Sequence, residues 1–337
     1  GFAEATRDMR PAKQVSIVFE PGDSYALATM TETVYDSSGN SDPAYFSSLN
    51  AKQTKKYDYV VVSASTAVTA DISTAIGWFS SATPAVVTEM DYLYDSNYKA
   101  RNIAGLVSET RVKDSAGNVK AKSQITYDGA SLLDESESTR WENPSTNYRG
   151  LVTKTRSWYD IANNLYIDTQ AQYDLMGNVR YSWDGKGNLS QVEYSSTYDH
   201  AYPTKTISPI PDTNGIYGLD DELETTTTYD LNTGLPLTVT DPNGAVTSME
   251  YEDPLLRPTK VTTGYGTALA AETVTEYGTG TNASTRWVKV RSQIDATNWK
   301  EAISWFDALG RGIRTQNIDP ESGDVFTLTC YDDMGRI

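Results

Sequence analysis

The chain has 337 residues, a formal net charge of −17, one histidine, one cysteine and 23 tyrosines against 6 phenylalanines. Phosphate binding needs clustered Lys and Arg, so this charge argues against a nucleic-acid partner and is read as a solvated outer surface. A single cysteine, Cys330, forms no intramolecular disulfide, and no apolar run of about 18 residues is present to span a membrane as a helix.

Thr, Ser, Gly, Asp and Asn are abundant in place of Leu and Ala, which favours strands and turns over helices. The first residues, "GFAEATRDMRPAKQ", show neither an initiating Met nor the layout of a signal peptide. The last, "TCYDDMGRI", stop just after a turn motif, so the expectation is an internal fragment of a longer protein. Such a fragment would expose unpaired sheet edges and self-associate more readily than its parent.

In chain order, Tyr-Asp recurs at Tyr35, Tyr57, Tyr94, Tyr127, Tyr159, Tyr173, Tyr198, Tyr229 and Tyr331, with variants at Tyr251-Glu252 and Phe306-Asp307. Residues 1–126 read as degenerate repeats with an insertion around 60–90. "YDSSGN", with Tyr35, Asp36 and Gly39, is their fullest unit. From 127 to 337 the pattern is regular, and the expectation is one continuous β body. Its units are "YDLMGNV" (Tyr173, Asp174, Gly177), "YDLNTGL" (Tyr229, Asp230, Gly234), "FDALGRG" (Phe306, Asp307, Gly310) and "YDDMGRI" (Tyr331, Asp332, Gly335).

A second turn falls between motifs: "DSAGN" from Asp114, "WDGKGN" from Trp183, "DPNG" from Asp241 to Gly244 and "DPESG" from Asp319. The best-formed units repeat every 22 to 25 residues, as strand, turn, strand, turn. The Asp carboxylate bonds backbone N–H groups two residues on, and the Gly supplies the positive φ that closes the turn. In the Asp241 turn, Pro242 presets φ. The tyrosine ends a strand with its ring inward and its hydroxyl near the turn.

Between turns the residues alternate. Leu235, Leu237 and Val239 share a face; Val325, Thr327, Thr329 and Tyr331 share another, opposite Phe326, Leu328 and Cys330. The last segment is apolar or semi-apolar on both sides, which suits a sheet covered on part of each face. The predicted fold class is therefore all-β, with consecutive antiparallel hairpins side by side in one curved sheet. Thr66–Phe79 and Thr267–Thr273 are compatible with short helices or with loops. The stretch from Ile207 reads as a projecting loop.

Chemistry has little to draw on. One histidine, His200, makes no zinc site, and Ser-His-Asp or Cys-His catalysis would rest wholly on it. Asp220, Asp221, Glu222 and Glu224 offer carboxylate pairs, but acidic residues are too numerous for pairing to inform. "DSSGNSD" from Asp36 to Asp42 has oxygen ligands for calcium without EF-hand spacing, and turn chemistry explains it. The sequons at Asn188 and Asn282 matter only if the source glycosylates secreted proteins. No catalytic activity, cofactor or metal is expected. Seven tryptophans and the tyrosines leave an adhesive or carbohydrate-binding reading open, against packing over neighbours in the sheet.

"YDLMGNV", "YDLNTGLPLTVTDPNG", "WFDALGRGIRTQNIDPESGD" and "YDDMGR" resemble the YD-repeat, or rearrangement-hotspot (RHS), proteins, from about Tyr127 onward. That family includes bacterial polymorphic toxins, insecticidal toxin-complex components and the extracellular part of teneurins; the wording here is closer to the bacterial members. The resemblance implies a hollow shell whose repeats are wall, secreted or at the cell surface, holding a C-terminal toxin or effector. The partners it implies are the rest of the shell and that cargo; a surface glycan or protein belongs to the adhesive alternative. It also implies that catalysis lies elsewhere, in the cargo or in an aspartyl self-cleavage element marked by two Asp-Pro steps. Asp241-Pro242-Asn243-Gly244 matches the first step, but Asp253-Pro254 is too close and Asp319-Pro320 too far to be the second.

Overall fold

The computed structural model describes residues 12–19, 22–35, 50–133, 147–211, 216, 221–278, 280, 286–318, 323–332 and 335–336. Asp36 and Gly39, the "DSSGNSD" segment, Asp220, Asn282 and Asp319 lie outside them. The fold is all-β, and every ladder between its strands is antiparallel. The protein divides into two units, residues 1–136 with 140–189, and residues 137–139 with 190–337.

The first unit contains β1 (Lys13–Val18), β2 (Tyr25–Tyr35), β3 (Ala51–Ser63), β4 (Val86–Tyr92), β5 (Val107–Asp114), β6 (Val119–Tyr127), β7 (Val152–Asp160), β8 (Leu165–Tyr173) and β9 (Val179–Trp183). Each pairs with the next. The second unit contains β10 (Leu189–Tyr194, from its second residue), β11 (Pro203–Ser208), β12 (Leu223–Tyr229), β13 (Pro236–Thr240), β14 (Val246–Glu250), β15 (Lys260–Thr263), β16 (Ala271–Tyr277), β17 (Trp287–Gln293), β18 (Trp299–Phe306), β19 (Gly312–Ile318) and β20 (Val325–Leu328). It has the same serial pairing.

Among the described residues helix is confined to short pieces. Of the two open segments, Thr66–Phe79 holds most of α1 (Ala64–Thr69) and all of α2 (Ile72–Gly77). Ser63 Oγ caps α1 by accepting from Thr66 N at 3.2 Å, and Asp71 Oδ1 caps α2 by accepting from Thr74 N at 2.7 Å. Thr267–Thr273 holds none. Gly264 and Gly266 before it have positive φ, and from Ala271 the backbone pairs with β15. A third helix, α3 (Ser96–Ala100), has a capping Asp95 and a buried Tyr98.

The hydrophobic core sits under α2. Alternate residues of β2, Ala26, Ala28 and Met30, are buried, and Phe79 closes over Ala28 and Met30 with Val15, Ile17, Tyr57 and Val60 packed around. Elsewhere most strand residues are half-buried on both faces. One face carries cross-strand ion pairs: Lys113 to Glu89 at 2.8 Å, Lys122 to Glu109 at 3.2 Å and Lys154 to Asp168 at 2.8 Å in the first unit. In the second, Lys260 reaches Glu250 at 3.3 Å and Glu272 at 3.0 Å, and Lys289 reaches Glu301 at 2.8 Å. The opposite face pairs small or β-branched residues, for example Thr227, Val239, Thr247, Thr263 and Ala271 on successive strands.

The expectation of cover on both sides of the last segment is not met. Val325, Phe326 and Leu328 are 59%, 50% and 71% exposed. Pairing with β19 satisfies the backbone of β20, and the Arg314 guanidinium stands 4.7 Å over the Phe326 ring, but the strand's side chains stay largely open to solvent. The strand ends at Leu328, so Thr329 and Tyr331 do not share it.

Candidate functional site: the repeat loop and its tyrosine

The sequence distinguishes a Tyr-Asp turn from the intervening turn, yet both fold into one loop. At Asp174 the backbone N–H donates to Asn178 O at 2.9 Å, and Gly177 N–H returns to Asp174 O at 3.0 Å. The carboxylate Oδ1 accepts from Met176 N at 3.0 Å and Asn178 N at 2.8 Å, and Asn178 Nδ2 donates to Oδ2 at 3.2 Å. Asp114 and Asp184 repeat these contacts with Asn118 and Asn188. The rule is aspartate at the first position, glycine at the fourth, and at the fifth a residue whose N–H, and often side chain, bonds back.

Arginine serves the fifth position at Asp307 and Asp332. Arg311 Nε reaches Asp307 Oδ2 at 2.7 Å and Arg336 Nε reaches Asp332 Oδ2 at 2.8 Å. At Asp241 the fifth residue is Ala245, which supplies only its N–H, at 2.8 Å. The Asp230 loop is one residue longer: Gly234 N–H donates to Asp230 O at 2.9 Å, and Asp230 Oδ1 accepts from Thr233 N at 2.8 Å. Gly177, Gly244 and Gly335 have φ of 91°, 80° and 80°, which a side chain disfavours. Gly234 needs its bareness twice, since φ is 72° and a Cβ would stand 2.8 Å from the Tyr202 hydroxyl.

At Asp114, Asp184, Asp230 and Asp307 these bonds favour the ionised carboxylate. The backbone N–H and then the side chain of Asn118 lower Asp114 to about 2. Asp184 is lowered first by the Asn188 side chain, Asp307 first by Arg311 N–H, and Asp230 first by Thr233 N–H.

The motif aromatic ends its strand beside a register shift. Such a shift lies between Val34 and Tyr35, Thr126 and Tyr127, Gln172 and Tyr173, Thr228 and Tyr229, and Trp305 and Phe306. With or without such a shift, several of these tyrosines lie back over the preceding strand, where the hydroxyl donates to a carbonyl near the start of that strand. Tyr173 Oη reaches Val152 O at 2.8 Å, Tyr229 Oη reaches Pro203 O at 2.8 Å, Tyr251 Oη reaches Pro236 O at 3.0 Å and Tyr331 Oη reaches Gly312 O at 3.1 Å. Each acceptor is a strand-starting residue, and Val152, Pro203, Pro236 and Gly312 face Tyr127, Tyr194, Tyr229 and Phe306 in the register. One aromatic thus stands beside the carbonyl that the next one grips. Burial pushes the Tyr127, Tyr173 and Tyr251 hydroxyls up, so they remain donors.

Sequence reasoning missed part of this set and over-counted another. Tyr92 and Tyr277 make the same contact, to Ala51 O and Pro258 O at 2.9 Å each, although neither precedes an aspartate. Their signal was position, an aromatic closing an alternating run. Tyr57-Asp58 lies inside β3, where Tyr57 packs edge-on against Phe79 and donates to Glu32 at 3.0 Å. Tyr159 is 66% exposed, and Tyr198 sits in a 3-10 turn where its hydroxyl accepts from Tyr229 N at 2.9 Å. Phe306 has no hydroxyl; there Arg286 Nη1 donates to Asp307 O at 2.5 Å.

The aspartate after Tyr127 takes a different role. Asp128, with φ of 52°, accepts from Arg149 N and Gly150 N at 2.8 Å, Leu151 N at 3.0 Å and Tyr98 Oη at 2.8 Å. It thereby joins the residue leaving β6 to those entering β7. Asp174 is fully buried, and Leu133 bonds the backbone on either side of it.

Many aromatic rings carry a cation. Lys122 stands 4.6 Å over Trp158, Arg156 3.7 Å over Tyr166, Arg257 3.8 Å over Tyr277 and Arg314 4.4 Å over Trp305. His200 is buried with φ of 58°, and Cys330 is exposed. Among the described residues no group of three or more His, Cys, Asp or Glu is placed to hold a metal.

Comparison with known proteins bears on the repeat directly. The family model described as RHS Repeat matches residues 229–268. No curated protein matches in sequence. Among solved structures, a TcdB2–TccC3–Cdc42 complex is similar at 15% identity and a TM-score of 0.47, over 91% of this chain and 14% of that one. A Photorhabdus luminescens Tc holotoxin pore is similar at 14% identity and a TM-score of 0.46, over 92% and 14%. The protein thus spans about a seventh of the length of these structures. The segment 229–268 that matches the RHS Repeat model contains the loop and the hydroxyl contact, and both recur through the two units.

Proposed function

We propose that the protein is a wall segment of a larger RHS-repeat protein, a non-catalytic scaffold that encloses or presents another polypeptide. The observation that carries this reading is the grip of one motif tyrosine on the carbonyl beside the previous one, which makes successive hairpins uniform. A surface built from such hairpins extends by addition, and its polar groups are engaged in holding it together rather than converging on a substrate. A secreted or cell-surface setting, a C-terminal toxin or effector as cargo, and further repeats as partners complete the reading. The adhesive alternative needs aromatic faces free for sugar rings, and the cations over Trp158, Tyr166, Tyr277 and Trp305 count against it.

Limited proteolysis of the full-length parent tests the proposal. A polypeptide outside the repeats should resist digestion while they are intact, and should become accessible when Gly177→Val and Gly335→Val loosen two loops. A parent whose remaining sequence is digested equally with and without intact repeats would leave the scaffold without a cargo.

A further inference from the structure

Three of the repeat loops place asparagine after glycine. Asn118, Asn178 and Asn188 follow Gly117, Gly177 and Gly187, precede Val119, Val179 and Leu189, and donate their side-chain amides to the loop aspartate at 3.2, 3.2 and 2.8 Å. The loop at Asp241 reverses the order. Asn243 precedes Gly244, is exposed, and the capping position has passed to Ala245. Asn214-Gly215, the other such step, lies outside the described residues.

An asparagine followed by glycine is the step at which a side-chain amide is most open to backbone attack, because glycine has no side chain to hinder the approach. We propose that Asn243 is a deamidation site gated by its own loop. Gly244 N attacks Asn243 Cγ and loses its proton to solvent, the bond from Cγ to the amide nitrogen Nδ2 breaks as that nitrogen takes a proton from solvent, and ammonia leaves. Water then opens the resulting imide at either carbonyl, giving aspartate or isoaspartate at position 243.

The closed loop restrains this step at the nucleophile and at the electrophile's own backbone. Gly244 N–H donates to Asp241 O at 2.9 Å, Asn243 N–H donates to Asp241 Oδ1 at 2.9 Å, and Ala245 N–H donates to the same oxygen at 2.8 Å. Attack needs the Gly244 bond released, so conversion follows opening of the β13–β14 hairpin rather than exposure of the side chain. Isoaspartate adds a methylene to the backbone between the Asp241 acceptor and the Gly244 donor. The loop then cannot reclose in register, and one opening is recorded for the life of the molecule.

The test incubates the folded protein and the urea-unfolded protein at mildly alkaline pH, with mass spectrometry of the peptide containing Asn243 and an isoaspartate methyltransferase assay. Conversion at 243 should be at least about tenfold slower in the folded protein. Asp241→Ala, which removes the carboxylate clamp, should raise the folded-state rate, while Asn118, Asn178 and Asn188 stay unconverted in both. If Asp241→Ala does not fold, graded urea on the unsubstituted protein takes its place, and the rate must climb as strand signal is lost. Equal rates in folded and unfolded protein, a rate independent of urea, or a folded Asp241→Ala variant with an unchanged rate would each overturn the proposal.

Discussion

The start of the first unit and the repeats around β12–β14 are both antiparallel sheet, yet different forces hold them. Under α2, Ala28, Met30 and Phe79 are 0%, 4% and 3% exposed, and packing is of the kind found in an ordinary globular core. Around β12–β14 none of the strand residues is buried, and order comes from loops whose carboxylates bond backbone N–H groups and from hydroxyls bonded to carbonyls of neighbouring strands. A layer that cannot bury side chains can still be specified, provided its backbone polar groups are met at regular intervals.

The largest way to break this comparison is Phe79→Ala. Truncating a buried aromatic costs about 3–5 kcal/mol, and urea melts with amide exchange should show β1–β3 loosened while the Asp241 and Asp307 loops keep their protection. Equal loss in both regions would mean that the core also carries the repeats. Gly244→Val comes next, at about 1–2 kcal/mol, because a β-branched residue must adopt φ of 80°; its loss should stay within β13 and β14. Unchanged melting would show that the loop tolerates another path.

Tyr173→Phe keeps the ring and removes one hydrogen bond. About 1 kcal/mol is expected, seen as faster exchange at the start of β7 beside Val152. Tyr159→Phe, at a Tyr-Asp step whose tyrosine is exposed, should change nothing measurable and so separates the contact from the motif.

The smallest effect near neutral pH comes from acid. Loop aspartates with folded values below their ordinary 3.8 contribute stability that is present above that value and lost as pH falls through the folded one. With Asp114 near 2 through its loop and Asp253 near 2 through the Arg257 guanidinium bonded to it, circular dichroism should be flat from pH 7 to about 4 and the repeat signal should fall between about 4 and 2. A midpoint near pH 6 would mean that some other group governs opening.

The sequence by itself determined the hairpin plan. Asp at one position and Gly three residues on specify a loop through chemistry local to five residues, so Asp174-Gly177, Asp241-Gly244, Asp307-Gly310 and Asp332-Gly335 were legible without any tertiary knowledge. Local chemistry did not reveal that the Tyr-Asp and intervening turns share one geometry, because proline and tyrosine disguise the same hydrogen bonds. Which tyrosines grip a neighbouring strand was decided only by tertiary structure: Tyr92 and Tyr277 do, without an aspartate, and Tyr57 and Tyr159 do not, with one. The reason is distance along the sequence. A hydroxyl bonded to a carbonyl 15 to 41 residues earlier depends on strand register, which is set by strands that a reading of adjacent residues does not bring together.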